Sequence, residues 1–110
     1  MLNQVVLVGR LTKEVELKEL ESGKKVANIT LAIPRSFKNI DGEYETDFIN
    51  YVLWSSVAES TSEYCKKGDL IGVKGRLQSR TIEKEDGIKK YKMEVIAEKI
   101  TFLSSKKVDD

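Results

Sequence analysis

Hydrophobic and polar residues alternate over several short stretches of the chain, and this spacing predicts β-strands. Residues 4–11 are rich in valine and leucine and predict a buried first strand, while residues 13–18 predict a short, bent extension of it. Residues 26–33 place Ile29, Leu31 and Ile33 on one face and smaller or polar residues on the other. They predict a half-exposed second strand that Pro34 either ends or marks as an edge strand.

A third predicted strand is marked by its aromatic residues. It follows a polar loop over residues 35–45 that contains an Asp-Gly pair, a strong hairpin signal. Alternation places Phe48 and Trp54 on the same side of this strand, roughly 20 Å apart at about 3.3 Å per residue. Two large rings on one face suggest a stacking platform for nucleic acid bases. Packing in a core or a subunit contact is the alternative.

The second half of the chain predicts one helix and a long hairpin. Apolar residues recur at helical spacing over residues 56–67, with a serine at position 55 or 56 as N-cap, lysines in the last turn and a glycine after it. Residues 70–77 predict a fourth strand interrupted by Gly72 and Gly75, which mark a bulge, a barrel corner or close backbone approach. The pattern continues to residue 83, turns at an Asp-Gly pair and returns over residues 91–103.

Five strands with one helix between the third and fourth predict an all-β fold, the OB-fold, a five-stranded Greek-key barrel with a long hairpin between its last two strands. Residues 1–104 form the predicted domain, and residues 105–110 a short charged tail. In this fold the second and third strands and the two flanking loops form the ligand surface. Phe48, Trp54 and the basic hairpin therefore fall where oligonucleotides bind.

Composition narrows the function. The 110 residues include 19 lysines and arginines against 18 acidic residues, so a nucleic-acid ligand requires positive charge gathered on one face. With no histidine and one cysteine, zinc fingers, histidine-based catalysis and an internal disulfide are excluded, and no metal or cofactor is expected. The first residues lack a basic signal region and an apolar run of membrane-spanning length, so the expected location is cytoplasmic.

Several motifs follow one another over residues 3–103: N-Q-V-V-L-V-G-R-L, V-A-N-I-T-L-A, T-D-F-x3-V-L-W, A-E-x4-Y-x-K-K-G-D, G-V-K-G-R-L-Q-S-R, D-G and E-V-I-A-E-K-I-T-F-L. In this order they resemble the bacterial single-stranded DNA-binding protein family. The resemblance implies an OB-fold that wraps single-stranded DNA without reading its sequence. It also implies a homotetramer, with a dimer as the alternative.

The resemblance also implies site residues. Phe37, Phe48 and Trp54 fall at base-stacking positions of the family, and the implied basic contacts are Arg10, Arg35, Lys38, Lys67, Arg76 and Arg80. Each has a structural alternative: Phe37 as a loop staple, Lys67 as a charge at a helix end, Arg76 as half of an ion pair to Glu94 or Glu98.

Two departures from the family pattern shape the expectations. Ile82 stands where many members carry another stacking tryptophan, so one platform is expected to be lost or replaced by apolar contact. The chain ends at K-K-V-D-D, where typical members continue to an acidic, apolar-tipped tail. We therefore expect a tailless paralogue, a phage or plasmid version, or a shortened chain, associated with the nucleoid but without tail-mediated recruitment of repair proteins.

Two other classes of protein compete with this reading. An OB-fold accessory module, similar to a primosome subunit, would share the barrel and act mainly through protein contact. Exposed rings over the presumed groove favour DNA binding instead. An enzyme would need a grouped acid, base or nucleophile, and the acidic residues fall mostly in turns and on the helix, so no enzymatic activity is expected.

Overall fold

The computed structural model describes residues 2–105 as a closed β-barrel with one helix. Its elements are β1 (Val5–Leu11), β2 (Leu17–Glu19), β3 (Lys25–Lys38), β4 (Tyr44–Trp54), α1 (Ser55–Tyr64), β5 (Leu70–Glu83) and β6 (Lys89–Ser104). The sheet order is β1-β5-β6-β4-β3-β2, and pairing of β1 with β3 closes the barrel. The short β2 pairs only with β3, at the edge. The predicted OB-fold is confirmed. Of the predicted tail, residues 106–110 lie outside the described residues.

Alternation along β3 and β4 separates a core face from an outer face. Ile29 and Leu31 of β3 are buried, as predicted, and meet Tyr51 and Leu53 of β4 inside the barrel. Ala58 of α1 packs against the same core. Burying these aliphatic and aromatic side chains stabilises the fold, because each removes its apolar surface from water. The outer faces of the same two strands remain free for a ligand.

The β3–β4 hairpin is longer than the sequence predicts. Pro34 does not end the strand: β3 continues to Lys38, which pairs with Tyr44, and the predicted loop shrinks to a turn over residues 39–43. The register shifts between Pro34 and Lys38. A proline removes only one ladder hydrogen bond, and next to a bulge that loss is tolerated. The hairpin therefore projects beyond the barrel.

Helix α1 ends at Tyr64, three residues before the predicted end. Cys65 is already extended, and the Lys66 N–H donates to the Asp69 carboxylate at 2.8 Å. This side-chain acceptor replaces a helical partner, so Lys66 and Lys67 lie beyond the helix rather than in its last turn. Within residues 2–105 no helix has the length and apolar character needed to cross a membrane.

The β5–β6 hairpin leaves the barrel at a bulge beside Gly75. The register between β5 and β6 shifts between Lys74 and Gly75, and a Cβ on Gly75 would overlap the carbonyl oxygen of Ile96. Gly72 is different, because the nearest atoms to a Cβ there lie at 3.9 Å. The backbones of β5 and β6 therefore approach too closely for a side chain at Gly75, but not at Gly72.

The Tyr51 hydroxyl lies in the core without a hydrogen-bond partner among the described residues. Burial raises the pKa of Tyr51 from 10.0 to about 12. An unpaired buried hydroxyl costs free energy, so we expect Tyr51→Phe to keep or raise the stability at pH 7, by up to about 2 kcal/mol.

The raised pKa also makes the stability depend on pH. The unfolded chain ionises Tyr51 near pH 10 and the folded chain only near pH 12, so the wild type loses stability as the pH rises through this window. The loss from this residue approaches about 3 kcal/mol. Urea denaturation at pH 7, 10 and 11.5 should show a smaller decline for Tyr51→Phe than for the wild type. Equal declines would contradict the assignment.

Candidate nucleic-acid interface

The outer face of β4 carries the predicted rings in the predicted order. Phe48 is 63% exposed and Trp54 38% exposed. Across the ladder, β3 places Ala32 opposite Phe48 and Val26 opposite Trp54. Both partners are smaller than the rings, which leaves ring surface open to a flat ligand. Trp54 also occupies the N-cap position of α1, in place of the predicted serine.

Between the two rings the surface is polar. Thr30 Oγ1 donates to Asn50 Oδ1 at 2.6 Å, and the two residues are cross-strand partners. The bond orients the Asn50 amide and leaves its nitrogen available as a donor to a ligand. The outer face therefore combines stacking surfaces with hydrogen-bonding groups.

A groove of about 560 Å³ lies over this face. Segments distant in sequence line it: the outer face of β3 and β4, the segment between β1 and β3, and the β5–β6 hairpin. The lining residues are Lys13, Leu20, Val26, Asn28, Thr30, Asn50, Val52, Trp54, Arg80, Lys92, Met93 and Glu94. Three cations face one carboxylate here, so positive charge is gathered beside Trp54, despite a chain net charge of +1. Phe48 lies outside this lining, further along the same face.

Arg76, Gln78 and Arg80 lie on the same side of β5, because every second side chain of a strand points to the same face. Arg76 Nη1 donates to Gln78 Oε1 at 2.5 Å. Arg80 Nε lies 2.8 Å from Glu94 Oε1. The ion pair considered for Arg76 is thus made by Arg80, because the register shift at Gly75 sets which residues of β5 and β6 face each other.

Arg10 and Lys67 are brought together, but neither lines the groove. Arg10 Nη1 donates to the carbonyl oxygen of Gly68 at 2.9 Å, and the Lys67 N–H meets Glu14 Oε1 at 3.3 Å. Both residues therefore lie where β1 meets the segment after α1, with the Glu14 carboxylate beside them. Their contact with DNA stays a prediction.

Arg35 is held by carboxylates of its own hairpin. It contacts Asp47 at 2.9 and 3.1 Å and Glu45 at 2.6 Å, and the hydrogen bonds from Arg35 hold the pKa of the Asp47 carboxyl below its usual value. Asp47 pairs with Ile33, which packs against the core. Arg35 therefore lies on the opposite side of the hairpin from Phe48, and its contact with DNA stays a prediction.

Phe37 and Lys38 lie at the outer end of the β3–β4 hairpin, both exposed. Lys38 Nζ lies 5.8 Å from the centroid of the Tyr44 ring, a cation–π distance. Alternation along β4 places Tyr44 on the side of Phe48. Sequence reasoning missed Tyr44, although the same two-residue spacing indicated it. It also missed Lys13 as a groove residue, whereas Lys92 belongs to the basic hairpin that the sequence placed at the ligand surface.

Comparison with known proteins extends over the whole barrel. Residues 2–103 match the model of the Single-strand binding protein family. The chain is 50% identical over 106 residues to Single-stranded DNA-binding protein B of Bacillus subtilis. The matched stretch covers 96% of this chain and 94% of that protein. It is 48% identical over 110 residues to Single-stranded DNA-binding protein 1 of Staphylococcus aureus, covering 100% of this chain and 70% of that protein. A Single-stranded DNA-binding protein of Bacillus cereus is 52% identical over 103 residues, 94% of this chain and 61% of that protein.

Proposed function

The chain belongs to the single-strand binding protein family, and we propose that it binds and protects single-stranded DNA without reading its sequence. One observation of the fold carries this proposal: exposed rings and a cation-lined groove share the outer face of β3 and β4. Unpaired bases offer flat faces to the rings, and every base has such a face, so binding tolerates any sequence. The family is one of DNA-binding proteins, not enzymes.

We propose a division of roles among the site residues, and the geometry supports it. Phe48 and Trp54 stack bases, with Phe37 extending the path, while Arg76 and Arg80 contact phosphates. Each stack contributes about 1–3 kcal/mol, so stacking outweighs the long-range attraction of a chain with net charge +1. DNA that continues past the groove would reach three further cations, Lys38, Arg10 and Lys67. Arg35 would meet DNA only after releasing Asp47.

We propose that this binding serves replication, recombination, repair or DNA uptake. Each of these processes exposes single strands that would otherwise re-pair or be cut. The corresponding location is the cytoplasm, in association with the nucleoid.

We also propose a homotetramer, with a dimer as the alternative. Val6, Val8 and Leu103 are exposed on the outer side of β1, β5 and β6, and Val8 and Leu103 flank Gly72. An exposed apolar surface of this kind favours contact with another protein surface, here a second copy. Light scattering with and without oligo-dT measures the assembly, and a monomer in both states would contradict the proposal.

Fluorescence of Trp54 tests the proposed function directly, because it is the only tryptophan. Titration with oligo-dT should quench the emission as the ring stacks on a base, and duplex of the same length should bind more weakly. If gel shift shows binding but the emission is unchanged at saturation, the DNA does not stack on Trp54 and its binding site lies away from β4. Equal affinity for oligo-dT and duplex would favour an accessory module over a single-strand binder.

Arg76→Gln should lower the salt dependence of binding. Losing one phosphate contact on a single strand reduces the slope of log affinity against log salt by about 0.7, while stacking is kept. Lys25→Gln is the matched control because it removes the same charge on the opposite face of β3, where Lys25 pairs with Glu59 of α1 and does not line the groove. Oligo-dT titrations from low to high salt measure both slopes. Equal slopes for the two variants would contradict a phosphate contact at Arg76.

A further inference from the structure

A carboxylate lies inside the groove proposed for a polyanion. Glu94 of β6 lines the groove, and its side chain is 13% exposed, against 56% for Arg80. Its Oε1 lies 2.8 Å from Arg80 Nε, and it stands directly opposite Gln78, between the levels of Arg76 and Arg80. A half-buried negative charge at this position repels phosphate and occupies one of the cations that phosphate would use.

Stability alone does not account for this arrangement. An ion pair with one largely exposed partner contributes at most about 1 kcal/mol. Glutamine at the same position would still accept the hydrogen bond from Arg80, so the negative charge is not needed to hold the hairpin. The charge lies where it would repel an anion that enters the groove.

We propose, on the basis of the function proposed above, that Glu94 is a specificity-determining residue that disfavours duplex DNA and other dense polyanions. It competes with phosphate for Arg80, and specificity is a difference of affinities to which a repulsive group contributes. A flexible single strand can place a base over Glu94 and keep its stacking on the rings. A duplex is rigid, presents phosphates at higher density and offers no exposed base faces, so it bears the repulsion without the compensating stack.

The test is Glu94→Gln against Glu83→Gln. Glu83 also lies on β5–β6 and is exposed, but alternation places it on the other side of the hairpin from Arg80. Fluorescence anisotropy with labelled oligo-dT and labelled duplex of equal length, at low salt, measures both affinities. We expect Glu94→Gln to bind oligo-dT about two- to threefold more tightly and duplex about tenfold more tightly. Glu83→Gln should change both equally and less.

The outcomes separate this inference from the proposed function. Wild-type protein that fails to prefer oligo-dT over duplex would overturn the proposed function itself. A wild-type preference that Glu94→Gln leaves unchanged, or that Glu83→Gln lowers equally, would overturn only the role of Glu94. In an Arg80→Gln background the gain from Glu94→Gln should shrink, because the cation in competition is gone. An equal gain in both backgrounds would overturn the competition for Arg80. Matching thermal melts of all variants establish that the fold is kept.

Discussion

The Phe48→Ala/Trp54→Ala double variant should bind single-stranded DNA about 2–6 kcal/mol more weakly than the wild type, as the sum of two stacks of about 1–3 kcal/mol each. The two rings are six positions apart on β4, roughly 20 Å, so they meet different bases and their effects should add. The salt dependence should stay nearly unchanged, because neither substitution removes a charge.

Anisotropy of labelled oligo-dT measures this loss without relying on tryptophan emission. Tyr64→Ala is the matched control, because Tyr64 is an exposed ring at the end of α1 and does not line the groove. Its removal should leave affinity unchanged. If the double variant kept wild-type affinity, or changed only the salt slope, the rings of β4 would not be the stacking platform.

The second large effect is expected from Gly75→Ala, which should cost about 3 kcal/mol or more of folding stability. The added Cβ would overlap the Ile96 carbonyl oxygen, and backbone in a paired strand cannot move aside as a flexible side chain can. Strand separation at this point would also reorient the β5–β6 hairpin, which carries Arg80 into the groove. We therefore expect weaker DNA binding together with lower stability.

Gly72→Ala is the control, because it adds the same methyl group three residues earlier on β5, where the nearest atoms lie at ordinary contact distance. Its stability should stay within about 1 kcal/mol of the wild type. Urea denaturation of the two variants compares them. Equal stability would show that β5 and β6 can widen at the bulge without cost.

The faces of the strands were predictable from the sequence. Ile29 and Leu31 are buried, and Phe48 and Trp54 share the opposite, outer side, as their spacing indicated. The side-chain direction in a strand repeats every two residues, so a local pattern is enough to assign it. The order of the five barrel strands and the helix followed from the same periodicity, whereas the short β2 was expected only as an extension of β1.

The ends of elements were less predictable, because partners distant from them decide where they stop. The helix ends at Tyr64 once Asp69 accepts the Lys66 N–H. β3 continues through Pro34 because β4 pairs with it on both sides of the bulge. Helix propensity and the rule that proline ends a strand both consider only neighbouring residues, so neither includes these partners.

Which charges meet was decided only by the tertiary structure. Arg35 lies close to Phe37 in the sequence and was therefore predicted to contact DNA. In the structure, the register of β3 with β4 places it in an ion pair with Asp47. Glu94 pairs with Arg80 rather than Arg76, in the register set by the bulge at Gly75. Local periodicity determines the side of a strand on which a residue lies. Pairing register and barrel closure, which depend on contacts between distant segments, determine what stands opposite it.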